Sequence, residues 1–164
     1  MENIIFQEIQ QYRQPIIHII FWIISGIILL FFLILWILQS NNTLLISFFI
    51  TSAVVIGIYL IIYNTKMITE VQKDKKIAMT FYPFTFIPDI IRLSEVGEIK
   101  ITNYHPRKDY GGLGIRYSAK GKAYIMQGDN GVLLTFKDSK KKPILIGSQK
   151  TEELYSVLQS QMNQ

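Results

Sequence analysis

Two long apolar runs, Ile16–Leu38 and Leu44–Tyr63, are parted by the polar stretch Gln39–Thr43. The first run holds eighteen Ile, Leu and Phe residues. At roughly −0.3 to −0.6 kcal/mol each they favour membrane insertion by on the order of 5–11 kcal/mol, which one histidine does not cancel. At about 1.5 Å per residue the run makes a helix of roughly 34 Å, enough to cross a hydrocarbon core of about 30 Å. The second run is interrupted by Ser47, Thr51, Ser52 and Gly57 but carries no charge. The pattern therefore predicts a two-helix transmembrane hairpin over residues 15–64, with helices at about 16–38 and 44–63. A cleaved signal peptide fits poorly, because the first run is too long and a second span follows it.

Ala53 and Gly57 stand four apart in the second helix, and Ser25-Gly26 offers a similar flat spot in the first. Such spacing either lets two backbones approach closely or reflects composition alone. His18, one turn inside the first helix, is expected to reach for the head groups.

After residue 64 the apolar period becomes that of strands. Ile77–Tyr82, Phe84–Ile91 around Pro88, Ile99–Tyr104, Ile115–Ser118, Ala123–Gln127, Val132–Lys137 and Ile144–Gly147 are bounded by Gly, Pro and Asn/Asp turns. In the Val132 strand, Val132, Leu134 and Phe136 form one face and Leu133, Thr135 and Lys137 the other. A closing helix starts near Thr151, with Leu154, Val157, Leu158 and Met162 as its apolar stripe. The expected fold is a membrane hairpin plus a mainly-β domain of about seven strands over residues 65–164. At the N-terminus, Ile5, Ile9 and Tyr12 have helical spacing, which predicts a short amphipathic interfacial segment over residues 1–14.

Charge adds a topology. Sixteen of the 17 Lys and Arg residues follow residue 64, Arg13 precedes the first span, and the break between the spans has none. Both termini should face the cytoplasm. The absence of Cys removes disulfides, thiolate nucleophiles and Cys-based zinc sites.

The blocks Tyr104-His105-Pro106, Tyr110–Arg116 (Tyr-Gly-Gly-Leu-Gly-Ile-Arg), Gly121–Tyr124 and Leu145–Lys150 (Leu-Ile-Gly-Ser-Gln-Lys), with the early Glu8–Arg13, carry a resemblance. The chain resembles a group of small bacterial membrane proteins with two transmembrane helices before a pleckstrin-homology-like domain. Leu113 stands where that group would have Trp. The resemblance implies a bent antiparallel sheet closed by a C-terminal helix, and a multi-pass protein of the bacterial inner membrane. It lends no activity.

Chemistry is sparse. Gly111-Gly112-Leu113-Gly114 precedes a strand rather than a helix, so it lacks the context of a phosphate cradle. With Tyr110 and Arg116 it reads as a structural motif loop. His105, Asp109 and Asp129 show no metal-ligand or nucleophile–base spacing. Lys137, Lys140, Lys141 and Lys142 crowd one turn and are the candidate contacts for anionic lipid, or else a solvated loop that deters edge pairing. No stacking platform suggests nucleic acid. The function expected is a non-catalytic, membrane-anchored binding or assembly module with membrane lipids around it, an unnamed protein partner and no cofactor. Anionic-lipid sensing is the alternative, and channel or enzyme roles are disfavoured.

Overall fold

A computed structural model describes residues 3–12, 15–39 and 41–163, in two compact units: Met1–Gln11 with Thr65–Gln164, and Tyr12–Asn64. Arg13 and Ser40, used above for topology and for the inter-span break, lie outside the described residues.

The second unit is the hairpin. Helix α1 spans Pro15–Gln39 and α2 spans Asn42–Asn64, both long and apolar enough to cross a membrane. Asn41 starts α2, its side-chain oxygen accepting from the Thr43 N–H at 2.9 Å and its carbonyl from Leu44 at 3.0 Å. Most side chains point outward, including Ile27, Leu38 and Phe49, as suits helices solvated by lipid. Ser47 and Ser52 donate to the carbonyls of Thr43 and Phe48 at 2.9 and 2.8 Å, so these hydroxyls are satisfied within their own helix.

The small residues of the hairpin differ in their surroundings. Ser25 is buried, but Ala53 and Gly26 are exposed, and a Cβ added at Gly26 or Gly57 would meet nothing within 4 Å. The helices meet through rings: Tyr59 lies 4.8 Å from Trp22, 5.5 Å from Phe21 and 5.8 Å from His18.

In the first unit, β1 (Ile4–Gln11), β2 (Lys66–Gln72), β3 (Lys76–Tyr82) and β4 (Asp89–Arg92) form an antiparallel meander in that order. The expected N-terminal interfacial helix is thus a strand. Its inward residues are Phe6, Glu8 and Gln10, while Ile5 and Ile9 face outward, and every residue from Phe6 to Gln11 pairs with β2. The stretch after α2 forms β2, an inner strand of this sheet, with Met67, Thr69 and Val71 buried.

A second sheet contains β5 (Val96–Asn103), β6 (Gly114–Ser118), β7 (Gly121–Ile125), β8 (Asn130–Phe136) and β9 (Ile144–Gly147), in the order β5-β8-β9-β7-β6. The described residues therefore hold two sheets of four and five strands, where about seven strands in one bent sheet were expected. Nor is the second sheet wholly antiparallel, since β7 and β9 run parallel. A short α3 (Pro106–Tyr110) links β5 to β6. Helix α4 (Thr151–Asn163) closes the domain against β5, β8 and β1, burying Leu154 and Leu158. On β8 the alternation holds: Val132 and Leu134 are buried, Phe136 is half-buried at the strand end, and Thr135 and Lys137 are exposed.

Candidate functional site

The lysine turn joins β8 to β9. Lys141 pairs with Glu95 at 2.6 Å, and Lys137 Nζ donates to the Ser94 carbonyl at 2.8 Å. The Lys141 hydrogen bond also holds the Glu95 carboxyl below its usual range. All four lysines are exposed, and two of them, Lys137 and Lys141, are engaged by the turn that follows β4.

In the glycine loop, Gly111 ends α3 at φ 79° and its N–H bonds the Arg107 carbonyl at 3.2 Å. That left-handed angle favours Gly over any residue with a Cβ. Tyr110 is buried against Tyr104. Arg116 folds back, with Nε donating to the Leu113 carbonyl at 2.6 Å, and its guanidinium lies 3.4 Å from where a Gly112 Cβ would stand. The loop is clamped by its own arginine. Asp109 accepts from the His105 N–H at 2.7 Å and from Lys120 at 2.6 Å, which hold its carboxyl below the usual range.

A polar group not anticipated from the sequence ties the two sheets together. Asp89 of β4 accepts hydrogen bonds from Lys122 and Tyr124 of β7. Burial opposes its charge, but these bonds outweigh it and hold the carboxyl below its usual range. Burial likewise opposes the Lys122 ammonium, yet its bonds to Asp89, Tyr124 and Tyr117 raise its pKa.

A second such group joins β1 to the junction of β9 and α4. Glu8, only 6% exposed, accepts from the Ser148 hydroxyl at 2.5 Å and from the Gln149 N–H at 2.8 Å, while Gln10 donates to the Gly147 carbonyl at 2.8 Å. Gly147 is required here, because a Cβ would run into the Tyr104 hydroxyl. That phenol is 5% exposed. Burial first, then the negative charges of Asp129 and Glu8 among its neighbours, pushes its pKa up to about 12. Ser148 also turns the chain into α4, its Oγ accepting from the Lys150 N–H at 3.0 Å and its carbonyl from the Thr151 hydroxyl at 2.8 Å.

Above this junction lies an open concavity of about 710 Å³, lined by Ile101, Gly128–Asn130 and Ser148–Glu153. Its rim carries Asp129, Glu152 and Glu153 against one cation, Lys150, which itself pairs with Glu153 at 3.3 Å. Among the described residues, no three His, Asp or Glu side chains gather as a metal ion would need. No protein-family model, curated protein or solved structure matches this chain.

The Leu145–Lys150 block, singled out as a sequence pattern, is thus the seat of both the buried polar junction and the concavity. Glu8 and Gln10 were missed. No local signal marks them, because polar residues fall on both faces of β1 (Gln7 and Gln11 outward, Glu8 and Gln10 inward).

Proposed function

We propose that this chain is a non-catalytic, membrane-anchored binding module of a bacterial inner membrane, whose partner-binding surface is the concavity between the Gly128–Asn130 turn and the start of α4. The observation that carries the reading is the pairing of β1 with β2, the strands immediately before and after the hairpin. Neighbouring strands of one sheet must lie on one side of a bilayer, and the short connections leave the domain little freedom to leave its surface. Lys66, Lys73, Lys75 and Lys76 after the second span favour the cytoplasmic side. The acidic rim suits a partner segment that offers Lys, Arg or amide donors. The domain reads as a variant of the pleckstrin-homology-like fold. In support of that, a four-stranded antiparallel meander is followed by a second sheet and a closing helix packed on β5 and β8. Anionic-lipid sensing through the lysine turn is the lesser reading, since Lys137 and Lys141 are already engaged within the domain.

The natural absence of cysteine makes the test direct. In intact cells an impermeant maleimide should label Asn42→Cys, between the spans, and should reach Ser139→Cys only after permeabilisation. A photo-crosslinking residue at Asn130 should then give a discrete protein adduct that the same residue at Ser139 does not. Reversed labelling would overturn the topology. Absence of any adduct around the concavity would remove the binding role.

A further inference from the structure

We propose that the loop joining β3 to β4 is a second membrane contact, inserting Phe84, Phe86 and Ile87 into the head-group boundary of the bilayer that the hairpin spans. These side chains are 63%, 75% and 85% exposed, the largest apolar exposure of the β domain apart from Tyr117. The loop is nevertheless well organised. The Phe81 N–H donates to the Thr85 hydroxyl oxygen and the Thr85 N–H to the Phe81 carbonyl, both at 2.8 Å. Phe84 stacks on Phe81 at 5.4 Å, and Tyr82 meets Phe86 edge-on at 5.7 Å. The rings brace one another, and only Phe81 is half-buried, its ring beside Gly114, while Phe84 and Phe86 stay exposed.

Chain connectivity identifies what covers them. Tyr82, at the base of the loop, pairs with Lys66. Lys66 is the second residue after Asn64, the last of α2. Two residues span at most about 7 Å and paired Cα atoms lie about 5 Å apart, so the loop base is within about 12 Å of the end of a membrane-spanning helix. The chemistry matches that depth. Lys66 sits over the Tyr82 ring at 5.4 Å, placing a cation and a phenol where phosphate and acyl chain meet. Pro83 and Pro88 bring no N–H to be desolvated and Thr85 has its own bonded, so three of the six loop residues add no such cost in a drier layer. The lysine turn, by contrast, is fastened to residues that follow β4, whose last residue Arg92 pairs with Lys76 at the other end of the sheet.

This inference rests on the hairpin spanning the membrane, so its test reads both. The full-length chain would be reconstituted into phosphatidylcholine–phosphatidylglycerol vesicles with an environment-sensitive fluorophore on one introduced cysteine, at Val54, Phe86 or Ser139. Nitroxide-bearing lipids should quench the labels at Val54 and Phe86, and aqueous iodide should quench only that at Ser139. Adding Phe84→Ser and Ile87→Ser should return the Phe86 label to iodide. Lipid quenching at Val54 without quenching at Phe86 would overturn the loop proposal alone. Iodide access at Phe86 would mean a solvated loop, and quenching by neither agent would mean cover by another protein surface or a second copy. Failure at Val54 would overturn the spanning reading and the loop proposal with it.

Discussion

Glu8 places a carboxyl group inside the protein, and two donors from the far end of the chain satisfy it. Removing one partner of such a set leaves the others buried and unpaired, at a cost of about 1–3 kcal/mol each. Glu8→Ala is therefore expected to destabilise the domain by about 2–4 kcal/mol, read as an earlier thermal transition of the detergent-solubilised chain. Tyr104 gives the opposite case, for its hydroxyl has no hydrogen-bond partner among the described residues. Tyr104→Phe should leave the transition at neutral pH unchanged or slightly higher. The difference is expected at high pH. The phenol's folded pKa of about 12 lies above its ordinary 10.0, so its contribution to stability is intact below pH 10.0 and drains as the pH rises towards 12. Between those values the wild type should lose about 2 kcal/mol more than Tyr104→Phe, measured by denaturant titration at each pH.

Strand β1 shows what an isolated element cannot disclose about itself. Its inward residues include Glu8 and Gln10, and its outward ones Ile5 and Ile9, so hydrophobic alternation is inverted there and helical spacing was the stronger local signal. The partners that make the polar side chains inward-facing stand 137 to 141 residues away. Strands β3 and β5 to β9 were legible because their own alternation and turn residues bound them, and α4 because its stripe is regular. The loop 83–88 misled for the reverse reason: Phe84, Phe86 and Ile87 are spaced like a strand but pair with nothing. One experiment separates these readings. Residues 65–164 alone leave the edge of β2 bare and Ser148 without Glu8, and this fragment should aggregate. Joining residues 3–11 to 66–164 through a short Asn-Gly turn should give a soluble, β-rich domain, since Gln11 already pairs with Lys66. A soluble, monodisperse 65–164 fragment would show that β1 is dispensable.

At the scale of the whole molecule, the hairpin was plain from composition, because two uncharged apolar runs of bilayer length are costly to leave in water. The concavity was not, since it forms where the Gly128–Asn130 turn meets the start of α4 and neither segment predicts the other. The deepest rearrangement of the expected plan is that the domain is discontinuous, its first strand lying on one side of the hairpin in sequence and the rest on the other. That order has a consequence during synthesis. The ribosome makes β1 before the spans and β2 after them, so at about 5–20 residues per second the first strand waits several seconds without its neighbour. If only one helix inserts, the two strands are left on opposite sides of the bilayer and the sheet cannot form. If the hairpin spans the membrane as proposed, the domain would be completed only when both helices are delivered, and a misinserted chain would be left with an unpaired β2 edge.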